Sequence, residues 1–482
     1  MNTGRFGHLL SILMVINAVL LVSIAANAAD DQSVETLLDY MKSPQAVTRR
    51  EAAHKLGERR VRDQAAVQAL AAAAHSDEDE QVRAEALRSL GRIKDFSALD
   101  VMIGAVKDSD PGVRRAAIKA LVSLYTEHDI DFITNRRTGW NRLNPLLDTD
   151  DHEIIPRYVL VDPNIISALG DSARDDRTRD NRIAAIRALG VLRGADAIPQ
   201  LADALTSDRE VRIDVTRTFI KIGEPEAARY LITFFRDSDQ KVRTQAMFAA
   251  GMLKYHPAAE PLLSVYGLGP ESKGLVSMVS GKIKGTFEYL PPRDEAALWG
   301  LALIGDPQAE QVFVENLDDK DSDRRQYAVE GLARIAEPRY KDQISRMILT
   351  EHNGDLKLAE YWAMYKMGDR GELQQVVRKL DSSQSEQAKQ YAAEVNSPSD
   401  LYPYVDSSSK TIRLAVIQIL GRIGDRESIS VLKPVASASG HSAADAATDA
   451  IKSIEFRLWG GVNAGDRSED GNTTRPRRVT GR

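Results

Sequence analysis

The residues best suited to metal chemistry lie in one acidic stretch. Asp148, Asp150, Asp151 and Glu153 supply a density of oxygen donors that would suit Ca²⁺. The twelve-residue loop with a central glycine that an EF-hand needs is absent. His152 precedes Glu153 in a single His-Glu pair, and the eight histidines of the chain are scattered without ligand spacing. We therefore expect no metal site.

Two other kinds of chemistry can be judged from residue types. Residues 280–285 read Ser-Gly-Lys-Ile-Lys-Gly, which superficially suggests a phosphate cradle. The Gly-x-x-x-x-Gly-Lys-Ser/Thr spacing is missing and no strand precedes it, so a hinge is the better interpretation. The chain has no cysteine, which excludes disulfides, thiolate metal sites and cysteine nucleophiles. Neither a catalytic residue nor a cofactor site is predicted.

The elements that would position any site are set by a repeated Asp-x-x-x-Arg signature. In the complete copies a valine precedes the arginine, and the arginines lie 31 residues apart within each block. A period near thirty with helical patterning is typical of stacked helix hairpins. The complete copies are Asp79/Arg83, Asp110/Arg114, Asp208/Arg212 and Asp239/Arg243, and degenerate ones contain Asp321/Arg325 and Arg413.

Each copy predicts a capped amphipathic helix. Asp110 is suited to the N-cap, and Pro111 to the first helical position. Arg114 follows the cap by four residues, so it lies one turn further along the same face. It can reach either that aspartate or the aspartate of an adjacent unit. We expect the arginines to form a structural ladder between repeats and not an array that binds anions.

Glycines mark the predicted helix ends. Gly91, Gly190, Gly223, Gly251 and Gly421 fall where a left-handed C-terminal residue is favoured.

The pattern Asp-x-x-Val-Arg-x-x-Ala-x-x-Ala-Leu-Gly-x-Ile-Gly-Asp resembles HEAT repeats, particularly the subtype named after phycobilisome lyases. Residues 80–106 and 411–435 show it best, and it can be traced over about 44–125, 164–266 and 292–454. The resemblance implies an all-α fold, an α-solenoid of stacked antiparallel helix hairpins in a HEAT-like superhelix. It is informative about the fold and says little about function.

The amino terminus predicts export. Arg5 is followed by an apolar run over 9–26 and then by Ala26-Asn27-Ala28, which resembles a secretory signal cleaved after Ala28. We expect a periplasmic or secreted protein with no membrane span after cleavage. The run is also long enough to stay as an N-terminal envelope anchor. The net charge of −6 argues against a nucleic-acid partner.

Breaks in the repeat period divide the chain and suggest where partners bind. Arg136, Arg137 and Trp140 in the first irregular segment, and Tyr402 and Tyr404 further on, are the candidate partner contacts. The predicted parts are a signal peptide (1–28), N-terminal repeats (29–126), an insertion (127–162), central repeats (163–266), a Gly/Pro-rich hinge (267–292), degenerate C-terminal repeats (293–458) and a disordered tail (459–482).

The sequence thus favours an exported, non-enzymatic scaffold whose concave surface binds another protein, of unknown identity and in an unknown oligomeric state. The alternative is a lyase-like enzyme, or another protein that handles a chromophore or small molecule, built on the same repeats.

Overall fold

The computed structural model describes residues 33–127, 154–269, 290–438 and 441–460. The predicted signal peptide and nearly all of the tail lie outside these ranges, as do most of the insertion and of the hinge. The chain forms two compact units. The first contains residues 1–132 and 176–184, and the second contains 133–175 and 185–482.

The first unit is a stack of helices. Its second, fourth and sixth helices carry the Asp-Arg signature or its degenerate form, and they pack on one another in chain order. The helices are α1 (Val34–Tyr40), α2 (Ala46–Glu58), α3 (Gln64–Ser76), α4 (Glu80–Ile93), α5 (Leu99–Ala105) and α6 (Pro111–Ser123).

The second unit continues the same plan. Its longer helices α11, α13, α15 and α17 also pack in chain order, as do α20 and α22. The helices are α7 (Pro163–Asp175), α8 (Arg179–Val191, which begins in the first unit), α9 (Ile198–Ala204), α10 (Arg209–Ile222), α11 (Gln240–Met252), α12 (Ala259–Tyr266), α13 (Arg293–Ile304), α14 (Glu310–Asn316), α15 (Ser322–Ile335), α16 (Lys341–Thr350), α17 (Gly354–Lys366), α18 (Leu373–Arg378), α19 (Ser385–Ala392), α20 (Lys410–Ile423), α21 (Arg426–Ala436) and α22 (His441–Trp459).

All regular elements in the described ranges are helical, so the predicted all-α solenoid of helix hairpins is confirmed. Several short partner helices begin with a 3₁₀ turn, as at Phe96–Ala98 and Pro307–Ala309. The signature aspartates cap the longer helices. Asp79 accepts from the backbone N–H groups of Gln81 and Val82, and Asp110 does the same for Gly112 and Val113.

The glycine prediction is mostly wrong. Gly223 alone of the five predicted residues is a left-handed C-cap, whereas the other four lie inside their helices. A Cβ added at Gly91 would lie 2.9 Å from Ala120 Cα, and one at Gly421 would lie 3.0 Å from Ala450 Cα. These glycines let neighbouring repeats approach closely, which a sequence pattern cannot distinguish from a helix end.

Basic residues occupy several of the left-handed positions that were expected to hold glycine. Lys94 caps α4 with a φ of 57°, and Arg193 and Lys254 follow α8 and α11 with φ of 50° and 54°. Each donates to a main-chain carbonyl at the end of the next such helix: Lys94 to Thr126, Arg193 to Lys221 and Lys254 to Leu303. Cations are favoured at these carboxyl ends, where the helix dipole is negative.

Candidate interaction surface

The signature arginines bind carboxylates of the following repeat. Arg83 Nε and Nη2 donate to the two oxygens of Asp108, both at 2.9 Å. Of the two partners that the sequence allowed, the structure places the aspartate of the adjacent unit beside the guanidinium. The other pairs of this ladder are Arg49–Asp77 and Arg114–Asp176 in the first unit, and Arg212–Asp237 and Arg325–Glu351 in the second.

The acceptor is not the capping aspartate but an acidic residue two positions before it. Asp108 also accepts from the backbone N–H of Asp110 at 2.8 Å. Burial alone would raise the pKa of Asp108, but Arg83 and this N–H hold it below its usual value. The acidic residue two before each cap was visible in the sequence, and it is the signal that our reasoning missed.

A second contact holds seven arginines at this repeat position, whereas Arg212 instead donates from Nε to Leu205 O. Nη1 donates to the carbonyl oxygen six residues earlier, as from Arg83 to Asp77 at 2.9 Å. Arg243 and Arg413 make this contact as well, to Asp237 and Ser407. With both ends of the guanidinium committed, the ladder holds repeats together. The full set is Arg49–Ser43, Arg83–Asp77, Arg114–Asp108, Arg182–Asp176, Arg243–Asp237, Arg325–Asp319 and Arg413–Ser407.

A second set of residues occupies the same position in successive repeats but differs in residue type from one repeat to the next. Nine of the longer helices in the described ranges end at or just before a residue with positive φ. For eight of them, all but α22, we call the residues six positions earlier the variable column. The variable column consists of His54 and Arg88 in the first unit, and of Arg187, Arg217, Phe248, Trp299, Glu330 and Trp362 in the second.

Residues of the variable column contact a side chain nine positions before the next left-handed residue. His54 Nδ1 lies 2.9 Å from Glu85 Oε1 in the first unit. Arg187 Nε donates to Asp214 Oδ1 at 3.1 Å in the second. At the same two positions, the second unit also has the aromatic residues Trp299 and Tyr327. Their ring centroids are 5.3 Å apart at an interplanar angle of 12°. One position in the repeat thus holds three different chemistries. Arg187 and Asp214 are buried, whereas His54, Trp299 and Tyr327 are partly exposed.

In the first unit this surface is charged. Glu85 accepts from Arg88 at 2.6 Å and from Arg92 at 3.2 Å, in addition to its contact with His54. Burial would raise the pKa of Glu85, but His54 and Arg88 hold it below its usual value. The side chains of His54 and Arg88 keep 50 % and 45 % of their surface exposed. A cavity of about 370 Å³ beside them is lined by Arg50, Glu80, Gln81, Ala84, Glu85, Arg88, Asp110 and Gly112.

In the second unit part of the surface is aromatic. Phe248, Trp299 and Tyr327 come from the successive helices α11, α13 and α15, and all three rings are half-buried. The Phe248 and Trp299 centroids are 4.7 Å apart with the rings tilted by 50°, so the three rings form one continuous row, which we call the aromatic stack. Sequence reasoning missed it because its members are spaced irregularly along the chain.

Further along, the variable column becomes buried. The Trp362 ring stacks on Tyr391 at 4.5 Å, and the Tyr391 hydroxyl donates to Glu330 at 2.6 Å. Arg334 and Lys254 both donate to Glu394, at 2.9 Å and 3.2 Å. Burial would raise the pKa of Glu394, but these two cations hold it below its usual value. This part of the column stabilises the unit.

The predicted partner contacts stand apart from this surface. Arg136, Arg137 and Trp140 lie outside the described residues. Tyr402 and Tyr404 are half-buried, not exposed as the sequence suggested. The Tyr402 hydroxyl donates to Asp425 Oδ1 at 3.2 Å and lies 3.0 Å from Ser428 Oγ, so it contributes to packing.

The described residues contain neither a metal-binding group nor a membrane-spanning helix. Among them, His, Asp and Glu side chains form no group of three or more that could hold a metal ion. Within the same ranges, no helix has the length and apolar character needed to cross a bilayer.

Three solved structures illustrate what the chain is similar to. An engineered protein is 20 % identical, with 88 % of this chain and 98 % of that chain covered at a TM-score of 0.32. The complex of CpcE and CpcF of phycocyanin lyase from Nostoc is 18 % identical (69 % and 94 % covered, TM-score 0.24). The karyopherin Kap121p is 13 % identical (95 % and 55 % covered, TM-score 0.41). No curated protein matches the chain.

Family models locate the repeats directly. The model for HEAT repeats matches residues 17–86, 67–141 and 166–264, and the model for the PBS lyase HEAT-like repeat matches 295–319. HEAT repeats generally mediate protein interactions. The chain therefore contains HEAT repeats, and one repeat of the PBS lyase HEAT-like type.

Proposed function

We propose that this chain is an exported, non-enzymatic scaffold that binds another protein through the variable column of its longer helices. The observation that carries the proposal is the aromatic stack of Phe248, Trp299 and Tyr327. Large, partly exposed aromatic side chains are the residues that most often anchor protein interfaces. Held by three successive repeats, they are positioned before a partner arrives, which lowers the entropic cost of binding.

The charged part of the column supports the same use. His54 and Arg88 are about half exposed and share Glu85 as their acceptor. Charged groups at the edge of an interface mainly set specificity and the rate of association. The column therefore offers charged contacts in the first unit and an apolar anchor in the second.

Affinity capture from an envelope extract tests the proposal. The bait is residues 29–482, and the variant Phe248→Ala/Trp299→Ala removes two rings of the aromatic stack. A matched control is Leu349→Ala on α16, because Leu349 is 82 % exposed and outside the column. We expect the control to retain the same proteins as wild type and the double variant to lose them. Equal retention by both variants would contradict the assignment of the surface.

Export forms a separate part of the proposal, and it is supported by the sequence pattern before Ala28. Mass spectrometry of the purified protein reads the mature amino terminus. A chain that begins at Ala29 indicates cleavage and a periplasmic or secreted protein. A chain that begins at Met1 in the membrane fraction indicates the anchored alternative, and a full-length chain in the cytosol contradicts export.

A lyase-like or other small-molecule-handling role is the second candidate. It is favoured by one observation: Trp299 lies in the PBS lyase HEAT-like repeat of residues 295–319, and its half-buried face could stack on a planar ligand. Titration with a bilin, followed by visible absorbance, tests it. A shifted spectrum that Trp299→Ala abolishes would support this role, and an unchanged spectrum would count against it.

A further inference from the structure

Four arginines gather in the second unit near the carboxyl ends of helices. Arg193 follows α8, Arg422 lies in the last turn of α20, Arg457 lies on α22, and Arg157 precedes α7. Burial lowers the pKa of Arg193 to about 10, with Arg157 and Arg422 adding to the effect. Burial followed by the charge of Arg157 also lowers the pKa of Arg457, against the opposing charge of Asp425. Arg157 Nη2 lies 3.5 Å from the carbonyl oxygens of Ile222 and Gly223, next to the Lys221 carbonyl that Arg193 contacts, so both guanidinium groups lie at the carboxyl end of α10.

The segment that carries Arg157 is anchored at both sides. Ile155 is buried, and its N–H donates to the carbonyl of Val191 at 3.0 Å. The neighbouring Tyr158 hydroxyl donates to Asp449 on α22 at 2.9 Å, and Lys452 Nζ lies 5.7 Å from the centre of the Tyr158 ring. Residues 154–159 therefore bridge α8 and α22, which fixes Arg157 in place between them.

These guanidinium groups are held by main-chain carbonyls. Arg193 donates to Ile155 O at 3.1 Å and to Lys221 O at 2.8 Å. Arg457 Nη1 donates to Gly421 O at 3.2 Å. Unlike Arg83, which also pairs with Asp108, Arg193 and Arg457 donate to main-chain carbonyls without a carboxylate within 4.0 Å in the described residues.

Carboxylates are scarce around the cluster. Within the described residues, Glu224 is the one acidic side chain within 4.0 Å of these arginines, and it lies 3.7 Å from Arg157 Nη1. The Arg422 guanidinium is exposed and donates no hydrogen bond to the described part of the chain. Each guanidinium has five N–H donors, so Arg422, and Arg157 with 52 % of its side chain exposed, keep N–H groups that no described residue accepts.

We propose that Arg157, Arg193, Arg422 and Arg457 form an oxyanion site that takes a phosphate or sulfate group. An oxyanion would use the vacant donors in charge-assisted hydrogen bonds, which are stronger than neutral ones. It would also relieve the repulsion between cations that are partly withdrawn from water and therefore weakly screened. The site lies apart from the variable column and does not depend on the proposed scaffold function.

Isothermal titration of the mature chain with sodium phosphate and with sodium sulfate, at low ionic strength, tests the site. Arg157→Gln and Arg422→Gln each remove one positive charge, and Arg370→Gln is the matched control because Arg370 is 78 % exposed in the same unit. We expect each test variant to bind about tenfold more weakly, as for the loss of one charge-assisted contact. The control should bind like wild type.

A second arm distinguishes free oxyanions from phosphate on a lipid headgroup. It measures co-sedimentation with phosphatidylglycerol vesicles against phosphatidylcholine vesicles. Binding in either arm that Arg157→Gln and Arg422→Gln weaken, and Arg370→Gln does not, supports the site and identifies its source of oxyanion. Absence of binding in both arms, or binding that all three variants share equally, overturns the proposal. Circular dichroism of each variant confirms that the fold is intact.

Discussion

Arg114 and Asp176 form a bidentate ion pair although 62 residues separate them in the chain. Arg114 Nε and Nη2 donate to the two carboxylate oxygens of Asp176 at 2.7 and 2.9 Å. Their side chains are 9 % and 2 % exposed. Every other rung of the ladder joins residues about one repeat apart, whereas this rung spans the predicted insertion at 127–162. The ladder of the first unit therefore resumes at Asp176, beyond the insertion.

Removal of this rung should destabilise the protein strongly. Arg114→Ala leaves Asp176 buried without its cation, and breaking a buried ion pair in this way costs about 3–5 kcal/mol. Urea denaturation followed by circular dichroism measures the loss. Lys42→Ala is the control, because the Lys42–Asp39 pair is 78 % and 75 % exposed and contributes little. Equal stability of the two variants would show that the ladder does not hold the repeats together.

The close-packing glycines should not tolerate a methyl group. Gly91→Ala places a Cβ 2.9 Å from the backbone of Ala120, so α4 and α6 must separate, at a cost of about 1–3 kcal/mol. Gly104→Ala in the same unit is the matched control, because nothing lies within 4 Å of its Cβ and alanine favours the helix by about 1 kcal/mol. Thermal unfolding should show opposite shifts, and a stabilised Gly91→Ala would contradict the packing role.

A buried glutamate should make stability depend on pH. Glu360 on α17 is 0 % exposed, and neither of its carboxylate oxygens has a hydrogen-bond partner among the described residues. Burial, with Glu351 adding to it, raises the pKa of Glu360 to about 8, against opposing effects of Lys357 and Arg325. The folded protein then binds one more proton than the unfolded chain between pH 4.5, the ordinary value, and about 8.

The free energy of unfolding should therefore decrease as the pH rises. The contribution of Glu360 is fully present below pH 4.5 and is lost as the pH rises to about 8. Glu360→Gln removes the titration, so the stability difference between this variant and wild type should grow in favour of the variant between these limits. Denaturation at pH 5, 6.5 and 8 measures it. A difference that stays constant across the three values would contradict a neutral, buried Glu360.

The sequence predicts the scaffold far better than the surface. Asp79 and Asp110 were identifiable as caps because capping depends on local residue order, and the helix hairpins follow from the same local pattern. The partner of Arg83 required knowing how repeats stack, since Asp79 and Asp108 are both within reach in principle. The glycines failed for the same reason: Gly91 is explained by Ala120 of the next repeat and not by its own helix.

The aromatic stack and the arginine cluster were harder to predict from the sequence than the helices. Phe248 and Trp299 belong to successive repeats, yet the hinge lies between them and breaks the period of the sequence. Buried aromatic residues such as Trp362 have the same helical spacing as the exposed ones, so the pattern alone does not separate core from surface. The arginine cluster joins residues from 157 to 457, a juxtaposition that depends on tertiary structure alone.

Hydrogen exchange of the mature chain, free and bound to a captured partner, tests the central claim most directly. If the variable column is the binding surface, the partner should protect the amides of α11, α13 and α15 around the aromatic stack, and Phe248→Ala/Trp299→Ala should abolish that protection. Protection confined to the short partner helices, or to residues 127–162 with these helices unchanged, would contradict the account.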